Sequence, residues 1–179
     1  MKIAISSSSN GAIDEKYKES ARNLLEYLTS LNDVELCWGS GKDSIMGLCY
    51  EYFNKAEKKI HGYTTMKYSD QIADLSKAEH TIYESTFELK ENIFNDADII
   101  ICLAGGTGTI SEFFAYLEEI RSNDINKTLI VYDEDNHFKS TWDLIDDLIK
   151  RNFNSNTIYD YFKIVTSIDE LKIIIKDSK

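Results

Sequence analysis

Short apolar runs alternate with amphipathic stretches along the whole chain. Residues 2–5, 34–38, 59–64, 99–103, 128–132 and 162–165 are runs of strand length, rich in β-branched residues. Between them, apolar residues recur at helical spacing. Tyr17, Ala21, Leu24, Leu25 and Leu28 mark a helix over 14–30, and Ile45, Leu48, Cys49 and Tyr52 mark a second. A third runs from about residue 84 to 95. Ile110, Phe113, Phe114, Leu117 and Ile120 form the stripe of a fourth, ending near Arg121, and Leu144, Ile145, Leu148 and Ile149 that of a fifth over 140–151. Ser167 and Glu170 have capping-box spacing ahead of a terminal helix. Residues 65–82 carry no period and read as an irregular surface segment. Strands alternating with helices predict right-handed crossovers and a doubly wound, three-layer α/β domain over residues 1–179, its parallel sheet covered by helices on both faces.

One stretch organises this pattern. From Asp98 the sequence runs Ile-Ile-Ile-Cys-Leu-Ala, meets Gly105, Gly106 and Gly108, and becomes amphipathic. An apolar run without alternation suits a central strand buried on both faces. The glycines allow positive φ and close backbone approach, so their N–H groups would converge with those of a helix starting near Thr109. A helix N-terminus favours a phosphate, so this turn reads as an anion site. Two plainer readings stand beside it. The turn could be only a tight connection, and Thr109 with Glu112 could be a capping box in which Glu112 merely accepts a backbone N–H.

Composition narrows the chemistry. Twenty Lys and Arg against 31 Asp and Glu give a formal net charge of −11, a field that repels nucleic acid polymers and anionic membranes while leaving room for local donors to a small phosphate. Cys37, Cys49 and Cys102 form no C-x-x-C and lie in apolar stretches, as buried free thiols would. His61, His80 and His137 lack metal-ligand spacing, so no metal is expected. No apolar run suits a signal peptide or a bilayer span, and the cytoplasm is the expected location. Two further strand ends carry small polar residues: Ser6-Ser-Ser-Ser-Asn-Gly11 and Gly39-Ser-Gly41-Lys-Asp-Ser44. In a parallel sheet these can meet the first glycine turn in one crevice at the carboxyl edge.

At these residues the chain resembles the Lonely Guy family of cytokinin riboside 5′-monophosphate phosphoribohydrolases, often labelled lysine decarboxylases. Ala104-Gly-Gly-Thr-Gly-Thr-Ile-Ser-Glu112 matches the family's P-G-G-x-G-T-x-x-E apart from the proline. Gly39-Ser-Gly-Lys-Asp-Ser-Ile-Met-Gly47 looks like its G-G-G-x-x-G-L-M-G, Ser6-Ser-Ser-Ser9 is similar to its C-G-S-S loop, and Asp96-Ala-Asp98 also fits. The resemblance implies a Rossmann-like homodimer, without a cofactor, that hydrolyses the N-glycosidic bond of a nucleoside 5′-monophosphate to free base and ribose 5-phosphate. Gly105, Gly106, Thr107, Gly108 and Thr109 would grip the phosphate. Ser8, Gly39, Ser40, Gly41, Met46 and Lys90 would complete the ligand site, and Glu112 would be catalytic, its charge stabilising an oxocarbenium-like sugar. One departure stands out: the family's arginine, in an R-K dipeptide ahead of the central strand, corresponds to Leu89 of Leu89-Lys90. Leucine offers neither charge nor planar fork. A non-catalytic nucleotide-binding or sensing protein is therefore the alternative. A pyridoxal-phosphate decarboxylase is not expected, since no residue identifies a cofactor lysine.

Overall fold

Each apolar run becomes a strand of one sheet in the computed structural model, which describes residues 1–72 and 78–177. The elements are β1 (Lys2–Ser6), α1 (Glu15–Ser30), β2 (Glu35–Trp38), α2 (Ser44–Lys55), β3 (Lys59–Thr65), β4 (Ala78–Tyr83), α3 (Thr86–Asp96), β5 (Ile99–Cys102), α4 (Thr107–Asn123), β6 (Thr128–Tyr132), α5 (Lys139–Lys150), β7 (Lys163–Val165) and α6 (Ile168–Asp177), with 3₁₀ helices at Met66–Gln71 and Asn156–Tyr161. All strand pairs are parallel, in the order β4-β3-β2-β1-β5-β6-β7.

Alternation along the strands explains why both faces are covered. In β5, Ile99 and Ile101 join one core cluster while Ile100 and Cys102 join the other; in β1, Ile3 and Ile5 part from Ala4 in the same way. The first cluster is closed by Leu24, Leu25 and Leu28 of α1, Cys49 and Phe53 of α2, and Leu171 of α6. The second is closed by Phe94 of α3, Phe113, Tyr116 and Leu117 of α4, and Ile145 of α5. Each such side chain withdrawn from water contributes roughly 1.5–3 kcal/mol, so the layers hold through many moderate terms. Cys37, Cys49 and Cys102 are buried in these layers as free thiols.

Residues 65–82 correct the reading from periodicity. Met66–Gln71 is a 3₁₀ helix and Ala78–Tyr83 is the edge strand β4, paired along its length with β3; residues 73–77 lie outside the described residues. β4 was hidden because it is Ala-Glu-His-Thr-Ile-Tyr, an edge sequence without buried positions, and the run of apolar residues that marks a central strand is missing.

The strand order positions the site. From β1 the chain winds outward through β2, β3 and β4, then crosses back to β5 on the other side of β1 and winds outward again. The loops after β1 and β5 therefore diverge, opening a crevice at their carboxyl ends.

Candidate functional site

Helix α4 begins at Thr107, two residues before the expected start, with Gly106 as its N-cap in extended backbone (φ −89°, ψ −155°). A glycine N-cap has no side chain to give to the first turn, and no side-chain bond caps α4. The contrast with neighbouring helices is direct: Asp14 accepts from the Lys16 amide at the start of α1, and Ser85 from the Glu88 amide at the start of α3. Among the described residues, no acceptor of the chain meets the amides of Gly106, Thr107, Gly108 and Thr109. These four donors sit at the positive end of a 17-residue helix.

Those amides face open space. Two connected lobes, about 440 Å³ and about 240 Å³, share Ser9, Met46, Thr107, Gly108 and Glu112 on their walls. The smaller lobe lies between the serine loop after β1 and residues 106–109. The larger extends over Gly39, Ser40 and Gly41 towards Thr64 and Thr65 at the end of β3, with Leu89 and Lys90 on its wall. Volumes of about 300–1,000 Å³ are usual for small-molecule sites.

Of the residues singled out in sequence, Ser8, Gly39, Ser40, Gly41, Met46, Lys90, Gly106, Thr107, Gly108, Thr109 and Glu112 all border this crevice. Gly105 does not. His137 Nε2 lies 2.7 Å from its carbonyl oxygen and 3.2 Å from its amide nitrogen. One ring nitrogen cannot serve both, and the shorter contact, with Nε2–H donating to the carbonyl, is the stronger. Either way the Gly105 peptide is turned to His137, so the donor set is 106–109. Gly105 is needed for a different reason: a Cβ there would stand 2.1 Å from Thr109 Oγ1.

Positive φ is likewise not the reason for the glycines, since none has it. In the second turn Ser40 (φ 61°) and Ser44 (φ 57°) take left-handed backbone instead. Gly39 and Gly41 make room for Met46, whose Cε and Sδ would lie 2.9 Å and 2.6 Å from added Cβ atoms. Ser8 ties the loops together, donating its amide to Ala104 O at 3.1 Å and accepting from the Met46 amide at 3.1 Å.

Glu112 is not a cap. Thr109 is inside the first turn of α4 and buried, and Glu112, one turn further on, accepts a short hydrogen bond from Ser6 Oγ at the end of β1. Burial pushes the Glu112 carboxyl above the ordinary carboxylate range, against the opposing pulls of the Ser6 hydrogen bond and the Lys90 charge. Lys90 Nζ donates to Ser111 Oγ at 2.7 Å. The carboxylate thus lies at the junction of the two lobes, beside free amides and near one ammonium.

Sequence reasoning missed Thr64, Thr65, Tyr68 and Ser111 at the crevice, and had Ser6 and Ser9 only as members of the hydroxyl-rich loop after β1. Thr64-Thr65, a polar pair ending an apolar strand, was the one legible signal among them.

A doubly wound α/β sheet with an uncapped helix N-terminus and a desolvated carboxylate at its switch point defines an α/β protein of Rossmann-like fold with a crevice at the carboxyl edge of its sheet. The family model described as Possible lysine decarboxylase matches residues 46–174, and the chain belongs to that family, the one recognised above as Lonely Guy. The chain is 26% identical over 140 residues to a cytokinin riboside 5′-monophosphate phosphoribohydrolase of Mycobacterium marinum, covering 75% of this chain and 73% of the relative. Solved structures that share the fold include two named for the molybdenum cofactor. A molybdenum cofactor binding protein from Rippkaea orientalis superposes with TM-score 0.68 at 17% identity, over 98% of this chain and 95% of the other. The molybdenum cofactor carrier protein of Chlamydomonas reinhardtii gives TM-score 0.70 at 12% identity, over 99% and 96%.

Proposed function

We propose that the protein hydrolyses the N-glycosidic bond of a nucleoside 5′-monophosphate, releasing free base and ribose 5-phosphate. The observation that carries this is the pairing, on one helix, of unpartnered amides at 106–109 with Glu112 one turn deeper. The 5′-phosphate binds those amides in the smaller lobe, and the sugar lies over Glu112. As the C1′–N bond breaks, the base leaves with the bonding electrons and positive charge develops on the sugar, which the carboxylate stabilises. Water adds its hydroxyl to C1′, and its remaining proton passes by way of Glu112 to the departing nitrogen. A carboxyl held above its usual range suits such a proton relay near neutral pH. Lys90 contacts the phosphate or ribose.

The reading extends to the chain as a whole: one ligand-binding domain over residues 1–179, working in the cytoplasm as a homodimer without a resident cofactor. Among the described residues no helix is long and apolar enough to cross a membrane.

Leu89 supports a second reading. It lies on the wall of the larger lobe where the family's arginine would stand, so a charge expected beside the reacting sugar is replaced by an apolar side chain. A protein that binds a small anionic ligand without turnover is the outcome of that change, and the fold neighbours named for cofactor binding and carriage make it concrete. A screen of nucleoside monophosphates for free base and ribose 5-phosphate separates the two. Hydrolysis predicts product, a loss of about 10²–10⁴-fold in rate for Glu112→Gln, and a gain for Leu89→Arg. Calorimetric binding with no product from wild type or Leu89→Arg would establish the second reading instead.

A further inference from the structure

Beneath the floor of the crevice lies a much smaller space. It measures about 10 Å³, close to what one water requires, and Ser6, Glu112 and Tyr116 stand on its wall. Gly39 and Met46 border it too and separate it from the larger lobe above. Tyr116 is 2% exposed, and its hydroxyl meets no partner among the described residues. A buried hydroxyl left unpaired is costly, so groups of this kind are generally satisfied by ordered water. Tyr116 follows Glu112 by one helical turn, which sets both on the same side of α4.

We propose that Tyr116 is a positioning residue for Glu112, acting through one water held in this space, with Ser6 as its direct counterpart from β1. The water accepts from the Tyr116 hydroxyl and donates to the carboxylate, while Ser6 Oγ donates to Oε2. Two donors on the inner side leave the outer oxygen directed at the ligand, and both donors favour the charged carboxylate. Neither partner follows from the family motif, in which the position of Ser6 is cysteine. The inference rests on reading Glu112 as the carboxylate that faces the ligand and does not require turnover.

The groups that bear on Glu112 are Lys90 from α3, Cys102 from β5, Ser6 from β1 and Tyr116 from α4 itself. Carbon-13 NMR of protein labelled at the glutamate side-chain carboxyl follows Glu112 through a pH titration without any ligand. Tyr116→Phe should raise its midpoint by about one pH unit, a tenfold change in proton affinity, and Ser6→Ala should do likewise, each with the fold intact by circular dichroism. The Tyr116→Phe shift should persist in high salt, whereas the shift from Lys90→Met should shrink, because only the latter acts through long-range charge. An unmoved midpoint in Tyr116→Phe together with a higher Tm would overturn the proposal, since removing a truly unpaired hydroxyl relieves a cost. Should Tyr116→Phe fail to fold, a high-resolution crystal structure of the wild type decides: density for a water bonded to Tyr116 and Glu112 supports the proposal, and a dry space overturns it. If no nucleotide is hydrolysed yet the midpoint moves as described, the proposed reaction fails and this inference stands.

Discussion

The turn after β5 and the turn after β2 follow one plan, strand then glycines then helix, and do opposite jobs. After β5 the helix starts on an uncapped glycine, its first amides are left without partners among the described residues, and Gly106 and Gly108 have nothing there within 4 Å of where a Cβ would be. After β2 the space is filled. Gly39 and Gly41 are packed by Met46, the Met46 amide is taken by Ser8 O, and the Gly47 Cβ position lies 2.3 Å from the Lys42 carbonyl oxygen. One turn leaves its donors unpaired among the described residues, while the other uses its glycines for close packing and becomes a wall. A glycine-rich turn therefore marks a close approach of backbone to something, and only the fate of the amides tells whether that something is a ligand.

The largest effect expected from this contrast is at Gly47. An alanine there drives its methyl into backbone that cannot swing aside, and a loss of about 3 kcal/mol in urea unfolding follows. Retention of wild-type stability by Gly47→Ala would show that the second turn is no more tightly packed than the first.

Glu112 brings the first turn's function into its stability. Burial raises its carboxyl above the ordinary carboxylate range, so the folded chain still holds this proton at pH values where the unfolded chain has released it. Stability contributed by this group consequently falls as pH rises from about 4.5 through the folded value, and at neutral pH the ionised carboxylate is a net cost. Glu112→Gln, neutral throughout and still able to accept from Ser6, should melt above wild type at pH 7, with the advantage fading towards pH 4.5. Melting curves across that range check it; a variant less stable than wild type at pH 7 would mean the carboxylate is held by more favourable contacts than Ser6 and Lys90 supply.

Much of this was readable beforehand, for identifiable reasons. Ile99–Cys102 has no polar residue to confuse its period, and α1 shows its buried stripe plainly, so central strands and amphipathic helices were legible. Ser167 does cap its helix, accepting from the Glu170 amide at 3.3 Å while the Glu170 carboxylate reaches back to the Thr166 amide, whereas the same spacing at Thr109 was misleading. The difference is Gly106: an extended glycine immediately ahead of Thr107 let α4 begin two residues before Thr109, so Thr109 went inside, under Gly105, and Glu112 was freed to turn to Ser6. No local rule carries that information, because it depends on β1 ending beside β5. Tyr116 was invisible for the same reason, since nothing in the helical period shows that its hydroxyl stands beside Ser6 and Glu112.

Ser44 tests the second turn on a finer scale. Its left-handed backbone costs an L-residue roughly 1–2 kcal/mol, and its Oγ is buried without a partner among the described residues. Glycine adopts that backbone freely but loses more entropy on folding, so Ser44→Gly should gain about 1 kcal/mol net, or about 2–4 °C in Tm. Ser40 shares the strained backbone, yet its hydroxyl is bonded to His80 Nδ1 at 3.0 Å, so the same change there should gain less. Equal gains at both positions would remove His80 from the account.

The smallest stability effect belongs to Gly108, and it separates the turns most sharply. A methyl here meets nothing, and at the second residue of a helix alanine is the better helix former, so Gly108→Ala should leave Tm within about 2 °C of wild type or raise it. The space the methyl enters is nonetheless the crevice itself, since Gly108 borders both lobes. Inorganic phosphate, titrated by calorimetry, should therefore bind Gly108→Ala at least several-fold more weakly than wild type, although every amide of residues 106–109 is still present. Gly47→Ala gives the opposite pattern in its folded fraction, a large loss of stability with phosphate affinity kept, because its methyl points into protein. Phosphate binding by Gly108→Ala at wild-type strength would place the anion somewhere other than the mouth of α4.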